Sequence, residues 1–172
     1  SLANHLCRWL RLESVPAKVT PSQSMSAALQ NEKLAFLVGF ESPTPAQMKT
    51  LRAFRARGGK LVVFHSSSPA LGELMGVRPL GYKAAEYPGK WSRMDFSATM
   101  PEGLPRSVLQ TSTVLQRAVP VKGRGRVIAT WSDRQGRATG DAAWIATSAG
   151  FWMTHVLLAD GDENLHAQLL GA

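Results

Sequence analysis

A strand-like apolar run, Lys60 to Phe64, delivers four residues with usable side chains in succession: His65, Ser66, Ser67 and Ser68. Pro69 follows and suits the first turn of a helix, so the four stand where a strand bends into a helix. Ligands of open α/β sheets gather beyond the carboxyl ends of the strands. The free N–H groups of a helix start attract anions and the oxygens of sugars or phosphates. Two chemistries are open to this bend. The serines can cap the helix and hydrogen-bond a ligand, or Ser66 or Ser67 can act as a nucleophile with His65 or His155 as base. The first is the expected reading: His65 to Ser68 as candidate ligand-binding residues, with no catalytic residue assigned.

Other reactive side chains have simpler explanations. His155 alternates with apolar neighbours, as a residue packed on a sheet face does. Asp160, Asp162, Glu163 and His166 invite a metal, but they lack the central glycine and ligand order of a calcium loop. An acid-rich helix start, favoured by the macrodipole, accounts for them. Neither a metal nor a cofactor is expected. Asp133 and Asp141 flank a polar turn and read as solvated. Cys7, the single cysteine, permits neither an internal disulfide nor a multi-cysteine zinc site. Lying between Leu6 and Leu10 on a helix, it is expected in the core. The absence of disulfides fits the cytosol and an exported protein equally.

These residues need elements to position them. Residues 3 to 13 read as a helix with Leu6, Trp9 and Leu10 on one face. Ala17 to Thr20 is an extended piece after Pro16, and Ser24 to Leu29 a weak helical turn. Leu34 to Phe40 is an almost unbroken apolar run, which suits a strand covered on both faces in a parallel sheet. In the next helix Thr44 is the N-cap, Pro45 the first helical residue, and Gln47 completes a capping box. Gly58-Gly59 stops that helix before Lys60 to Phe64. The two runs should therefore lie adjacent, parallel and buried, with a right-handed crossover between them. A further helix opens at Ser68-Pro69 and ends at Gly76.

Beyond Gly81 the texture changes. Residues 79 to 121 hold half of the chain's ten prolines and no sustained helical period, so short strands and long connections are expected. Arg126 to Trp131 and Ala143 to Thr147 read as antiparallel strands, Phe151 to Leu158 as another, and Asp162 as the cap of a last helix. The whole is an α/β chain: a flavodoxin-like parallel sheet with flanking helices and a β-rich C-terminal half, in one domain over residues 1–172. A doubly wound fold normally begins with a strand, whereas this chain opens in the helix that should follow it. That helix should pack on a sheet flank, with its partner strand missing or replaced.

The succession resembles the class I glutamine amidotransferase-like domains attached to family-10-like glycosyl hydrolases, in large and often exported bacterial proteins. Four stretches carry the resemblance: Asn4 to Val19, Leu34 to Phe64, Leu71 to Val77, and an ending from Val127 through Gly150–Leu158 to Leu169-Leu170. The resemblance implies one domain of a larger chain, carbohydrate and neighbouring domains as partners, and an exported or periplasmic location. In catalytic relatives the strand-to-helix bend resembles Gly-x-Cys-x-Gly, with a His and a Glu close together after the last core strand. This chain has neither the cysteine nor a His-x-Glu there.

Length and composition fit one soluble domain: 172 residues, 44% hydrophobic and 19% charged. No apolar run approaches the roughly 20 residues of a membrane span, and the opening reads as an amphipathic helix rather than a signal peptide. The net charge of +8 raises nucleic acid as a partner. Lys49, Arg52, Arg55 and Arg57 share one helix, and Lys122, Arg124 and Arg126 alternate with glycines. Neither cluster has the stacking aromatics of an RNA-binding sheet, so nucleic acid is not the expected partner. Three functional readings follow: first a non-catalytic amidotransferase-like module, binding or scaffolding in a larger carbohydrate-active protein. A small hydrolase using the His65–Ser68 bend comes second, and a basic polyanion-binding domain third.

Overall fold

The computed structural model describes residues 1–98, 100, 103–158 and 163–172, with side chains left aside at residues 163–165. Asp160 and Asp162 lie outside the described residues, so the proposed cap of the last helix does too.

The chain opens with helix α1 (Leu2–Leu12), whose Leu6, Trp9 and Leu10 are buried as their spacing requires. A 3₁₀ turn (Ser22–Ser24) and the short α2 (Met25–Ala28) lead into β1 (Leu34–Val38). Helix α3 (Pro45–Ala56) then connects β1 to β2 (Lys60–Phe64). Its capping box is formed: the Thr44 hydroxyl accepts from Gln47 N–H, and the Gln47 side chain accepts from Thr44 N–H at 2.8 Å. Strands β1 and β2 pair in parallel, from Leu34 opposite Lys60 to Val38 opposite Phe64. After α4 (Pro69–Met75), closed by Gly76 in the left-handed conformation, the chain turns to strands.

The proline-rich middle is more regular than its sequence suggests. It forms β3 (Val77–Ala84), β4 (Trp91–Phe96), β5 (Ser107–Ser112) and β6 (Val114–Pro120). Prolines are accommodated at the margins: the β3–β6 register shifts between Pro79 and Gly81, and Pro120 ends its strand. Then come β7 (Gly125–Ser132), β8 (Ala138–Thr147), β9 (Gly150–Met153) and α5 (Glu163–Gly171).

The principal sheet has seven strands in the order β1-β2-β9-β8-β7-β4-β5, while β3 and β6 form a separate antiparallel pair. Only β1, β2 and β9 run parallel; from β9 outward every neighbouring pair is antiparallel. The architecture is thus mixed α/β with a mixed sheet. Helix α3 joins the parallel β1 and β2, whereas the antiparallel β7, β8 and β9 follow one another through short loops.

Side chains alternate cleanly between two cores. Phe36, Val38, Val62, Phe64 and Met153 face one layer with Leu6 and Trp9 of α1 and Ala167 and Leu169 of α5. Leu37, Leu61, Val63 and Trp152 face the other, with α2, α3 and α4.

Three expectations need correction. The run at Leu34 contributes to both cores but is less buried than expected: β1 is an edge strand, Leu34 is 45% exposed, and within it only Leu37 is buried. Ala17 to Thr20 belongs to no strand. The strand from Phe151 is shorter than its apolar run. It leaves the ladder at Thr154, whose N–H and hydroxyl go to the carbonyls of Ala143 and Ala142 on β8.

Candidate functional site

The three parallel strands end side by side, and each delivers polar groups to the same edge. β1 leads to Phe40 and Glu41, β2 to His65–Ser68, and β9 to His155. The bend after Phe64 is sharp. His65 adopts φ +49°, one of two non-glycine residues with positive φ among those described. That region costs a non-glycine residue on the order of 1–3 kcal/mol. It is held by the His65 N–H donating to the Met153 carbonyl at 3.0 Å.

The three serines divide by exposure. Ser66 and Ser68 are buried, and both build the turn. The Ser66 hydroxyl donates to the Phe40 carbonyl at 2.8 Å and accepts from Ser68 N–H at 3.2 Å. Ser68 is the N-cap of α4, its hydroxyl accepting from Leu71 N–H at 3.2 Å. Ser67 and His65 are partly open to solvent, beside the exposed Glu41. The Glu41 carboxylate accepts from both the N–H and the hydroxyl of Ser67, at 3.1 and 2.6 Å. No serine hydroxyl of the bend is hydrogen-bonded to a histidine among the described residues. The cap gives a direct expectation. Ser68→Ala should lower unfolding free energy by about 1 kcal/mol, the usual worth of an N-cap, read from urea unfolding; an unchanged midpoint would contradict the geometry.

Behind the bend, the His65 and His155 rings meet edge to face with centroids 5.2 Å apart. His155 is buried, and its Nδ1 lies 3.0 Å from the Val156 carbonyl and 3.4 Å from Gln110 Nε2. Gln110 braces this segment, donating to the Val156 carbonyl at 2.8 Å and accepting from Leu158 N–H at 2.9 Å. His65 Nδ1 is shielded and has no hydrogen-bond partner. The edge thus presents a carboxylate, a hydroxyl and an imidazole, a set suited to hydrogen-bonding a polyol. It has no thiol: Cys7 is buried in α1, its Sγ donating to the Ala17 carbonyl at 3.2 Å.

Sequence reading did not find Glu41 or Gln110. Glu41 lies two residues past Gly39 at the end of an apolar run, so the rule that selected His65 would have selected it. Gln110 carried no local signal, since its role depends on β5 and the β9 exit approaching each other. His155 stands after β9, facing His65, rather than on a strand. The described residues contain no group of three or more His, Cys, Asp or Glu arranged to hold a metal.

The other candidates are structural. Trp91 and Trp131 are fully buried and Trp144 nearly so, which leaves none of the three exposed to stack on a ligand. Trp91 Nε1 donates to Asp141 at 2.9 Å. Asp133, expected as a solvated turn residue, is 3% exposed. It accepts from the Gln135 and Arg137 N–H groups, both at 2.9 Å, and from Arg137 Nε at 2.8 Å. Burial pushes its carboxyl up, but the bonds from Arg137 and Gln135 outweigh that and hold it below its usual value. A depressed carboxylate stabilises the fold above its unfolded-state pKa and stops doing so as pH falls through the folded value. Asp133→Asn should therefore be destabilising at pH 7, with the gap to the parent closing in acid. A gap unchanged between pH 7 and pH 2.5 in urea titrations would contradict this. The basic helix is partly spoken for as well. Arg55 donates to the Gly59 carbonyl at 2.5 Å, and Arg57 donates to the Leu29 carbonyl while stacking over Phe54 at 5.0 Å.

No family model matches the chain, and no curated protein matches it in sequence. Solved structures do match in fold. A ThuA-like protein from Bacteroides uniformis aligns with a TM-score of 0.68 at 12% identity, over 99% of this chain and 84% of that one. A protein described as a GMP synthase component, from Thermoplasma acidophilum, aligns at 0.61 and 10% identity, over 97% and 85%. A beta-galactosidase from Rahnella sp. R3 aligns at 0.65 and 14% identity, over 96% of this chain and 25% of that one. The chain spans about a quarter of the length of the beta-galactosidase chains it matches. These identities show shared architecture alone, a mixed α/β fold.

Proposed function

We propose that this chain is a non-catalytic amidotransferase-like module of flavodoxin-like ancestry, which binds rather than cleaves at the carboxyl edge of its sheet within a larger carbohydrate-active protein. The observation that carries the reading is the use made of the bend. Ser66 and Ser68 are consumed in holding the turn, Ser67 is bonded to Glu41, and no thiol is near. An acyl-transfer site needs a nucleophile bonded to a base that is itself oriented, and the serines here are bonded to main chain and carboxylate instead. Glu41 and Ser67, with the half-buried His65 beside them, are the groups offered to a ligand, with carbohydrate hydroxyls as the matching chemistry. The fold shared with part of a beta-galactosidase supports a carbohydrate context and a role beside other domains of a parent chain.

One observation favours the hydrolase as the second reading. His65 occupies a left-handed strand-to-helix turn with His155 behind it, the backbone setting in which nucleophile elbows place their reactive residue. Assays with glutamine and with p-nitrophenyl esters separate the two. The proposal expects no turnover of either. Ester hydrolysis that disappears in Ser67→Ala and survives in Ser68→Ala would transfer the assignment to the hydrolase.

A further inference from the structure

The carboxyl edge has a neighbour on its α4 side, the β3–β6 ribbon. Helix α4 runs down from the bend at Ser68, and β3 turns back along it: a Cβ built on Gly72 would lie 2.7 Å from Pro79 Cδ. A strand rises about 3.3 Å per residue and a helix about 1.5 Å. By Tyr82 the strand has therefore climbed past the start of the helix. The other strand of the ribbon is tied to the site directly. Gln116 N–H donates to the Thr154 carbonyl at 2.9 Å. Thr154 stands between Met153, whose carbonyl accepts from His65 N–H, and His155, whose ring meets His65. Tyr82 lies opposite Gln116 in the antiparallel register.

We propose that Tyr82 is the stacking platform of the carboxyl-edge site, and that the site takes a neutral oligosaccharide rather than a single sugar; this rests on the carbohydrate reading of that edge. Exposure singles the residue out. At 62%, Tyr82 is the most exposed aromatic among the described residues, and it makes no side-chain hydrogen bond or ring contact among them. Tyr87, by contrast, is tied through its hydroxyl to Asp133 at 3.3 Å. A bare ring offers a broad apolar face to the C–H face of a pyranose.

Direction follows from the pleat. Side chains two apart on a strand share a face, so Gln116 projects with Ala118, which is buried with Leu71 and Met75 of α4. Tyr82, opposite Gln116, projects to that same side, beyond the helix start and over the bend. Its neighbours on this face are Ala84 and Val114, while Lys83 and Arg117 alternate to the other. The platform is thus uncharged, which suits a neutral ligand. Spacing sets the length of that ligand. Three steps between adjacent strands, each about 4.8 Å, lead from Tyr82 through Gln116 and the β9 exit to the β2 bend, roughly 14 Å in all. A mono- or disaccharide held by Glu41 and Ser67 does not reach the ring; a longer chain does.

The test titrates galacto- and manno-disaccharides and the corresponding hexasaccharides into the parent, Tyr82→Ala and Tyr82→Trp, with affinities read by calorimetry. A hexasaccharide should bind the parent about tenfold more tightly than its disaccharide, the scale of one aromatic contact. Tyr82→Ala should remove that advantage and leave disaccharide affinity unchanged, whereas Tyr82→Trp should keep it. Sugar C–H protons of the bound hexasaccharide should move upfield in NMR spectra under the Tyr82 ring current, a signature that a purely structural residue does not produce. Glu41→Ala, which should weaken both lengths, reports on the edge independently. Equal affinity for short and long sugars would overturn the platform and leave the binding edge standing, as would a length advantage that survives in Tyr82→Ala. Binding of neither length would overturn both.

Discussion

Gly150→Ala is expected to remove cooperative folding, or to lower stability by more than about 4 kcal/mol, the range reserved for frank steric conflict. Gly150 opens β9 at φ +134°, a region that side-chain-bearing residues rarely enter. A Cβ built there would lie 2.0 Å from the Leu61 carbonyl oxygen and 2.9 Å from its carbon. Those atoms belong to β2, the middle of the parallel triplet, so neither strand can retreat without opening the ladder that connects Leu61 with Gly150 and Phe64 with Met153. Domains of this size hold about 5–15 kcal/mol in all. Circular dichroism melts and urea titrations read the effect directly. A variant melting within a few degrees of the parent would show that the β2–β9 register is wrong.

Trp9→Ala is the second large effect, at about 3–5 kcal/mol. Trp9 is fully buried within the core shared by α1, the sheet and α5, and its ring meets His166 edge to face at 5.2 Å. The substitution distinguishes a helix integral to the sheet from an arm lying against it. A loss below about 1 kcal/mol, typical of a surface position, would mean that α1 stands off from the sheet.

Local chemistry made part of this fold legible. The capping box at Thr44, the Gly58-Gly59 stop, the Ser68 cap and the left-handed Gly76 are read from neighbours in sequence, and each forms as expected. Residue type also implied the parallel pairing of β1 with β2, since a capped helix between two apolar runs leaves little other choice. Position in the sheet was another matter. Nothing in Leu34–Val38 says whether it is interior or edge, because that depends on what lies beside it. The insertion of β9 between β2 and β8 joins residues far apart in sequence and depends on the glycine-sized gap at Gly150. The site divides the same way. His65 to Ser68 were found because they are consecutive at a strand end. Glu41 and His155 come from separate strands, and only the sheet brings them together.

The binding assignment is tested most directly by titrating neutral oligosaccharides, such as galacto- and manno-oligosaccharides, into the labelled chain while following backbone amides by NMR. Saturable shifts are expected at Glu41 and at His65–Ser68, where those amides line the carboxyl edge, and they should be lost in Glu41→Ala with the fold intact. Shifts that cluster instead along Lys49–Arg57 or Lys122–Arg126, or none with any sugar at millimolar concentration, would contradict the assignment of a carbohydrate-binding edge.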